Sequence, residues 1–320
     1  MELIEGDRVD QALRHRFCRT EDIPIKLFSQ PYFNSRIKLL DKMYGAEQKF
    51  KAFMEEIKGF ESKQAYLEFY NKVRENAIRR ITESKGFKEL SECNMAKYAI
   101  NSKGISDESI YRIENDGGTF ISVDLAKANF TALRWFNLNT FGDKQTYEEF
   151  IAEFAGGFKH IIESKYTRQA IFRKCKLSKQ AKIQRFIMDH LLNWALLKVF
   201  ELSQISCFRN DEIVIRVPED YTSEQYYQLC SKLDEHCYLL GVKVHYQWFT
   251  LHNIPDTAFY YKKYIAGEGK EGSIELKCVD DQSLPFILRQ LAGESVTEED
   301  LVFLHEGRLA KLLEAPVFKI

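Results

Sequence analysis

The first third of the chain places apolar residues at helical spacing. Between Tyr32 and Ser84, hydrophobic side chains recur every three or four positions, which is the period of an α-helix that buries one side. These residues are Ile37, Leu40, Met43, Phe50, Phe53, Met54, Tyr66, Phe69, Val73 and Ile78. The pattern predicts an α-helical lobe at the N-terminal end.

Strand-like runs begin after residue 110. Tyr111 to Ile113 and Thr119 to Val123 flank the turn sequence NDGG, which predicts a short β-hairpin. Helical spacing then returns at Phe130, Leu133 and Phe136. We therefore expect helices to dominate residues 126 to 205.

A strand–helix–strand pattern follows this helical region. β-Branched residues from Ile213 to Val217 predict a strand, Ser223 to Leu240 predicts a helix, and Val242 to Thr250 predicts a second strand. Thr222 and Gln225 have the spacing of a capping box at the start of the helix. Together these elements predict a βαβ-like return to one sheet.

The C-terminal part opens with two strand-like runs, FYYKKYI and SIELKCV, joined by AGEGKEG. GEGKEG matches G-x-G-x-x-G, but a dinucleotide-binding loop of that form must open a helix so that its amides face a pyrophosphate. Because this one joins two strands, we interpret it as a hairpin turn. Helices are predicted around Leu284 to Leu291 and from Glu298 to Leu313.

Composition narrows the class of protein. With 45% hydrophobic residues, a chain of 320 residues can bury one large core or two smaller ones without disulfides or a structural metal. The seven cysteines form no C-x-x-C pair, which indicates reduced thiols and no zinc site. No signal-peptide pattern or membrane-spanning apolar run is evident. We expect an intracellular protein, cytoplasmic or associated with a nucleoid or virus, that is not secreted and binds no membrane.

The charge is balanced overall, with a formal net charge of −1, but one segment is strongly basic. Nine bases stand against a single acid, Glu163, and they are Lys159, Lys165, Arg168, Arg173, Lys174, Lys176, Lys179, Lys182 and Arg185. The interleaved aromatic residues are Phe158, Tyr166, Phe172 and Phe186. A segment of this kind suits a nucleic-acid backbone, although a solvated helix face with aromatic core residues is the ordinary alternative.

Acidic residues stand at the ends of two β-branched runs. Asp124 closes the apolar run in DGGTFISVDLAKANFTALR, and Asp211 with Glu212 opens the run in CFRNDEIVIRVPED. Taken singly, such acids are ordinary turn formers or helix caps. Carboxylates on adjacent strands can instead hold the divalent ions of nucleotidyl transfer, because Mg²⁺ prefers oxygen ligands. The joint occurrence of the acids with a basic insertion between them favours one shared site.

These two segments resemble motifs of a known family. VDLAKANFTALR is similar to motif A, and NDEIVIRVPED to motif C, of the palm of A-family DNA polymerases and their relatives, the single-subunit phage and mitochondrial RNA polymerases. In that family, motif A is a strand that ends in Asp and leads into a helix, and motif C is an H-D-E turn in a hairpin. The resemblance covers roughly residues 115 to 250, and motif C is its more specific part.

The resemblance implies a fold. We expect an α+β protein whose polymerase-like palm has an antiparallel sheet, with helical thumb-like and fingers-like lobes and a small C-terminal α/β subdomain. The implied boundaries are 1–110 for the helical thumb-like lobe, 111–145 and 206–255 for the palm, 146–205 for the basic fingers-like insertion, and 256–320 for the C-terminal subdomain.

The resemblance also implies a reaction. Asp124 and Asp211 would bind Mg²⁺ or Mn²⁺ with support from Glu212, and the chain would add nucleoside monophosphates from NTPs or dNTPs to a 3′ end of DNA or RNA. Expected partners are nucleic acid, nucleoside triphosphates and a larger replication or transcription assembly. The implied nucleotide- and nucleic-acid-binding residues are Lys127, Asn129, Arg168, Arg173, Lys174, Lys179 and Lys182.

Three departures from the family leave alternatives open. Asn210 occupies the position of the motif C His, and Asn129 stands where DNA polymerases place a Glu that excludes ribose, so the choice of sugar stays open. A clean R-x-x-x-K-x-x-x-F…Y-G fingers motif is also missing from the sequence. A template-independent or tRNA-type palm nucleotidyltransferase, or a non-catalytic nucleic-acid-binding module with a palm-like fold, is therefore an alternative interpretation.

Overall fold

The computed structural model describes residues 5–102 and 104–320. The chain forms two compact units, and each is assembled from separate stretches of sequence. Unit 1 contains the residues up to Arg79, together with Glu148–Ile171 and Val279–Ile320. Unit 2 contains Arg80–Tyr147 and Phe172–Cys278.

The described residues combine α-helices with antiparallel strands, as expected for the α+β class. The helices in chain order are α1 (Glu5–Thr20), α2 (Tyr32–Tyr44), α3 (Ala46–Ile57), α4 (Lys63–Glu83), α5 (Lys85–Glu92), α6 (Ala128–Phe136), α7 (Tyr147–Ala155), α8 (Lys159–Ile162), α9 (Lys165–Phe172), α10 (Leu177–Trp194), α11 (Ser223–Leu240) and α12 (Leu284–Ala292). The strands are β1 (Thr119–Leu125), β2 (Ile205–Phe208), β3 (Glu212–Val217), β4 (Val244–Asn253), β5 (Tyr260–Ala266), β6 (Ile274–Lys277), β7 (Val302–His305) and β8 (Arg308–Lys311).

Unit 2 is organised around one six-stranded antiparallel sheet in the order β2-β3-β1-β4-β5-β6. The β-branched runs that predicted strands form its centre, since such side chains fit a pleated surface that is covered. Side chains alternate between the two faces, so Ile121 and its partner Trp248 point to one face. Trp248 stacks on Tyr226 of α11 at 5.4 Å between ring centroids, so helices cover this face.

The opposite face carries the second hydrophobic layer of unit 2. Phe120, Val214, Phe249 and Tyr264 are buried there in one cluster with Ile110, which precedes the sheet in sequence. Because alternate residues share a face, Ser122 and Asp124 lie on the same side as Phe120. The acidic end of β1 therefore continues the face that the segment around residue 110 partly covers.

Unit 1 is mainly helical, and its last segment contacts α2. Arg36 on α2 donates to Asp300 Oδ1 at 2.9 Å and to the carbonyl of Val302 at 3.0 Å. On another side, Tyr66 on α4 lies 2.8 Å from His160 Nε2, and Glu56 contacts Nδ1 of the same ring. Burial lowers the pKa of His160 in spite of the charge of Glu56 and the hydrogen bond that the ring donates to its carboxylate. A neutral imidazole fits this position.

Most of the predicted elements are confirmed. Helices occupy the region from Tyr32 to Ser84, and α11 begins with the predicted capping box, in which Thr222 accepts from the Gln225 amide. The AGEGKEG segment joins β5 and β6 as a hairpin connection. A helix also lies where one was predicted around Leu284 to Leu291.

Two predicted elements are wrong. The hairpin across NDGG does not form, because Ile113–Asn115 is a short 3₁₀ turn and the Gly117 amide donates instead to the carbonyl of Leu251 on β4. The helix expected from Glu298 to Leu313 is the β7–β8 hairpin. Its turn is made by Glu306 and Gly307, both with positive φ, which is the backbone that a two-residue hairpin turn requires.

The compact units do not follow the predicted boundaries. Of residues 256–320, β5 and β6 extend the sheet, while Val279–Ile320 belongs to unit 1. The stretches 1–110 and 146–205 are each divided between the two units. Long-range contacts such as those of His160 and Asp300 determine this division.

Candidate active site

Strand pairing brings the three predicted acids to one end of the central strands. Asp124 on β1 is the direct partner of Glu212 on β3, and the Leu125 amide donates to the carbonyl of Asp211 at 2.7 Å. Side chains of directly paired residues lie on one face with Cβ atoms about 5 Å apart. Asp124 and Glu212 are therefore neighbours, and the backbone of Asp211 lies against the end of β1.

A tight turn presents the second pair of acids. The Arg209 amide donates to the carbonyl of Glu212 at 2.8 Å, which closes the connection between β2 and β3. Asn210 is exposed at this turn, and the Arg209 side chain donates to the carbonyl of Asp107 at 3.2 Å. Hydrogen bonds from the Arg209 backbone and side chain thus hold this turn.

The carboxyl groups at this end influence one another. Burial raises the pKa of Asp211, and the nearby charge of Glu212 raises it further, while the Asp211 amide and Arg209 act in the opposite direction. Glu212 accepts a hydrogen bond from Ser122 Oγ at 2.7 Å. A divalent cation would relieve the repulsion between these two acids, since an opposite charge favours the ionised carboxylate.

The donor set fits a hard divalent cation. Within residues 5–102 and 104–320, no group of three or more His, Cys, Asp or Glu side chains is arranged to hold a metal ion. Mg²⁺ does not require such a group, because it keeps several waters and binds through one or two carboxylates plus substrate phosphates. Asp124 and Glu212, which are paired on one face, supply carboxylate oxygens of that kind, and the Asp211 backbone lies opposite Leu125, the next residue along β1.

A histidine that the sequence did not single out stands beside Asp124. His245 on β4 is the direct partner of Asp124, so Glu212, Asp124 and His245 form a row across three strands. His245 Nδ1 contacts the carboxylate of Glu268 in the connection after β5. Only the strand register reveals this neighbour, because a lone histidine in a strand carries no sequence signal of its own.

The helix after β1 begins in a defined geometry. Lys127 has a φ of 47°, the left-handed conformation, at the N-terminal cap of α6. The Ala126 amide donates to the carbonyl of Lys243 at 2.9 Å, which ties this junction to the start of β4. Asn129 in the first turn accepts a hydrogen bond from Gln184 on α10 at 2.8 Å. Hydrogen bonds to β4 and α10 therefore hold the segment that follows Asp124 and contains Lys127 and Asn129.

The predicted basic residues are spread over different surroundings. Lys179 donates to the carbonyls of Leu90, Ser91 and Cys93, so it caps the C-terminal end of α5 instead of facing solvent. Arg173, Lys174 and Lys182 are exposed in unit 2. Arg168 belongs to unit 1, whereas the acids belong to unit 2.

The aromatic residues of the basic segment serve packing. Phe158 lies 5.0 Å from Phe60 between ring centroids, and Phe172 lies 6.0 Å from Tyr147. Phe186 contacts Tyr98 edge to face at 5.3 Å. The interpretation of these side chains as core residues, which the sequence left as an alternative, fits these contacts.

A buried lysine lies on the acidic face of the sheet. Lys262 on β5 is 4% exposed, and its Nζ lies 4.1 Å from the ring centroid of Phe249. Burial lowers the pKa of Lys262 to about 8, helped by the charge of Lys277 and opposed by those of Glu212 and Glu275. The sequence FYYKKYI contained a signal for this buried lysine, because side chains alternate along a strand and one of two adjacent lysines must point inward.

Tyrosines continue this polar layer from Glu212 towards β6. Burial raises the pKa of Tyr111, and the charges of Glu212 and Glu275 raise it further. Tyr264 donates to the carboxylate of Glu275 and lies 3.4 Å from Gln247 Oε1. The acidic end of the sheet thus adjoins a buried network in which cations, acids and hydroxyl groups influence one another.

Comparison of the chain with protein-family models, curated proteins and solved structures gives no match. Among the described residues, no helix has the length and apolar character needed to cross a membrane. The fold is an α+β arrangement with an antiparallel sheet.

Proposed function

We propose that the chain is a nucleotidyltransferase that adds nucleoside monophosphates from NTPs or dNTPs to the 3′ end of a nucleic acid. The observation that carries the proposal is the pairing at the end of β1, where Asp124 faces Glu212 and the Leu125 amide bonds to the carbonyl of Asp211. Two segments that are remote in sequence thereby place acids at one end of one sheet.

The strand order supports a palm-like arrangement. Along the chain the elements run β1, helices, β2, β3, α11 and β4, and in space the strands lie as β2-β3-β1-β4. This is the split β-α-β topology, with the motif-A-like strand in the middle and the motif-C-like hairpin beside it. The order agrees with the one that the resemblance to A-family polymerases implies.

Each residue of the site would have a distinct role. Asp124 and Asp211 would hold divalent cations, which when bound neutralise charge on the transferring phosphoryl group. Glu212, fixed by Ser122, would bind through water or a neighbouring ligand position. Asn129, held by Gln184, would lie beside the sugar of the incoming nucleotide, so the amide replaces the carboxylate that excludes ribose in DNA polymerases.

Lys262 would adjust the charge of this site from the buried side. It attracts Glu212 electrostatically and is largely excluded from water. A cation in a low-dielectric layer acts over a longer distance than one in solvent.

The first test replaces the acids. We expect Asp124→Asn and Asp211→Asn each to lower nucleotide incorporation by several orders of magnitude while nucleic-acid affinity stays within a few-fold of the wild type, because the substitutions remove metal ligands and leave the binding surface intact. Asp220→Asn is a matched control, since Asp220 is an exposed acid of the same unit. Incorporation of labelled nucleotides into a primer measures the effect, and undiminished incorporation by either variant contradicts the proposal.

The same assay separates the alternative functions. Extension that requires a complementary strand indicates template-dependent synthesis, whereas equal extension of a single strand indicates a template-independent or tRNA-type enzyme. Paramagnetic Mn²⁺ provides an independent measurement, because bound Mn²⁺ broadens NMR signals of residues near Asp124. Nucleic-acid binding with neither extension nor broadening would indicate a non-catalytic module and reject the enzymatic proposal.

A further inference from the structure

Three arginines of unit 1 converge on two tyrosines. The guanidinium carbon of Arg16 on α1 lies 3.8 Å from the ring centroid of Tyr70, and that of Arg74 on α4 lies 5.9 Å from the same ring. One turn further along α1, Arg19 donates to the hydroxyl of Tyr166 at 3.0 Å and lies 5.3 Å from its ring centroid. We call these five residues the arginine–tyrosine cluster.

The arginines of this cluster form no ion pair among the described residues. Within the described part of the chain, no carboxylate forms an ion pair with Arg16, Arg19 or Arg74. Two acids of this region are engaged elsewhere, since Glu21 pairs with Lys49 at 4.0 Å and Glu56 contacts His160. The cluster therefore presents three like charges that repel one another unless an anion joins them.

Two of the three arginines also have buried donors without acceptors. The Nε atoms of Arg16 and Arg74 are buried and have no hydrogen-bond partner. A buried donor without a partner costs about 1–3 kcal/mol, which a protein ordinarily avoids. Arg16 and Arg74 keep two such donors close to the guanidinium of Arg19. We expect this where a bound ligand supplies the hydrogen-bond acceptors.

The positive charge of the cluster shifts the pKa values of neighbouring side chains. Burial lowers the pKa of His15, and the charges of Arg19 and Arg16 lower it further. Burial tends to raise the pKa of Tyr166, but the hydrogen bond from Arg19 and the charges of Arg19, Arg16 and Arg74 outweigh it, so that this pKa is lowered.

The scaffold behind the cluster is rigid. Tyr70 is fully buried, and its hydroxyl lies 2.8 Å from Thr167 Oγ1, which joins α4 to α9. Tyr66, one turn earlier on α4, is fixed to His160. Arg74 therefore lies on a helix that is already joined to α8 and α9 by buried hydrogen bonds.

We propose that Arg16, Arg19 and Arg74 form a phosphate-binding site. Guanidinium groups are planar, permanently charged donors that match the oxygens of a phosphate, and stacking on an aromatic ring leaves their N–H edges available. Two sources share this chemistry, the backbone of a nucleic-acid strand and the phosphate chain of a nucleoside triphosphate. The site would give the proposed nucleotidyltransferase a second binding element, in unit 1. The identity of the phosphate as nucleic acid or nucleoside triphosphate rests on that proposed function.

The test measures binding without catalysis. Anisotropy of a labelled single-stranded oligonucleotide is recorded in EDTA over a series of salt concentrations for wild type and for Arg19→Gln/Arg74→Gln. If the site binds the strand, we expect the Kd to rise about tenfold or more, since hydrogen bonds to charged groups are lost. The salt slope should fall by about 0.7 for each lost phosphate contact. A second titration uses a labelled nucleoside triphosphate. If the site binds the triphosphate and not the strand, the double variant should bind the triphosphate more weakly and the oligonucleotide as tightly as the wild type.

A control with the same loss of charge makes the result specific. Arg8→Gln/Lys72→Gln removes two exposed cations from α1 and α4 and should change the Kd less than twofold to threefold. Tyr166→Phe, which removes the hydroxyl that holds Arg19, should weaken binding by an intermediate factor while the fold is retained. If the double variant melts at a lower temperature, Arg19→Gln alone carries the test, because Arg19 is exposed.

Two outcomes would overturn the inference. One is that both ligands bind the cluster variant as tightly as the wild type, and the other is that the control variant loses as much affinity as the cluster variant. Failure here is distinct from failure of the proposed function, because Asp124→Asn is expected to lose incorporation and keep oligonucleotide affinity. The cluster variants are expected to lose affinity and keep Mn²⁺ binding near Asp124.

Discussion

Lys262 is a charge that the fold retains at a cost. Its pKa is lowered from 10.5 to about 8, mainly by burial, so the unfolded chain holds the proton more tightly than the folded one. Stability therefore rises with pH between about 8 and 10.5, and the full penalty applies below pH 8. We expect Lys262→Met to be more stable than the wild type at pH 7 by an amount on the order of 3 kcal/mol.

The pH dependence identifies the cause of this gain. Urea unfolding at pH 7 and at pH 10.5 should show that the advantage of Lys262→Met shrinks as the wild-type lysine loses its proton. Lys263→Met is the control, because Lys263 is the adjacent exposed lysine and should change stability by less than about 0.5 kcal/mol. A gain that does not vary with pH would mean that packing, and not charge, is responsible.

Single residues also mark where sequence reasoning ends. Asp124 and Asp211 could be selected because each stands at the boundary of a β-branched run, which a sequence displays directly. His245 could not be selected, because its position beside Asp124 depends on the pairing of β1 with β4. Lys179 shows the opposite case, since its charge suggested a ligand and its ammonium group donates to three backbone carbonyls of residues 90–93.

At the scale of elements, the β5–β6 connection depends on one glycine. Gly267 has a φ of 115°, and a Cβ at this position would lie 2.3 Å from the carbonyl oxygen of Tyr246 on β4. Backbone strain and the clash together should make Gly267→Ala destabilising by about 3 kcal/mol. Because His245 precedes Tyr246 on β4, the row of side chains beside Asp124 should shift as well.

Substitution of a neighbouring glycine distinguishes the effect of the steric clash from the effect of backbone strain. Gly269 has a φ of 69°, and a Cβ added there would meet no atom within 4 Å, so Gly269→Ala should cost about 1 kcal/mol. Thermal unfolding of both variants, followed by circular dichroism, measures the difference. Equal destabilisation by the two substitutions would show that the approach to Tyr246 is not important.

Elements were predictable where local chemistry decides them. The capping box at Thr222 and the β5–β6 hairpin follow from residues within a few positions of each other. The segment from Glu298 to Leu313 was misassigned, because its Glu306–Gly307 turn outweighs the apolar spacing that suggested a helix. The turn signal was present in the sequence but is weaker than Asn-Gly or Asp-Gly.

The whole molecule was harder to predict than its parts. The sheet that carries Asp124 and Asp211 was expected, because hydrophobic alternation and turn signals mark its strands. The composition of the two units was not expected, because Glu148–Ile171 and Val279–Ile320 belong to the same unit as helices that are far away in sequence. Contacts such as Tyr66 with His160 and Arg36 with Asp300 hold these segments, and neither partner signals the other in a single sequence.

Asp300 provides a test of this organisation. Its carboxylate accepts from Arg36 at 2.9 Å, from Arg289 Nε at 3.0 Å and from the Thr297 amide at 2.9 Å, all within unit 1. Removing one partner of a buried ion pair leaves an uncompensated charge and costs roughly 3–5 kcal/mol. We expect Asp300→Asn to weaken unit 1 by an amount of this order.

Hydrogen–deuterium exchange of the full chain locates that loss. Amides of α2 and α12 should exchange faster in Asp300→Asn, whereas those of β1 and β4 should keep their protection, because the bonds from Arg36, Arg289 and Thr297 to this carboxylate stay in unit 1. Glu298→Gln is the control, since Glu298 pairs with Lys311 at the surface and such pairs contribute little. Equal loss of protection in both units would show that they unfold as one, and unchanged exchange in α2 would show that Asp300 does not hold the C-terminal segment.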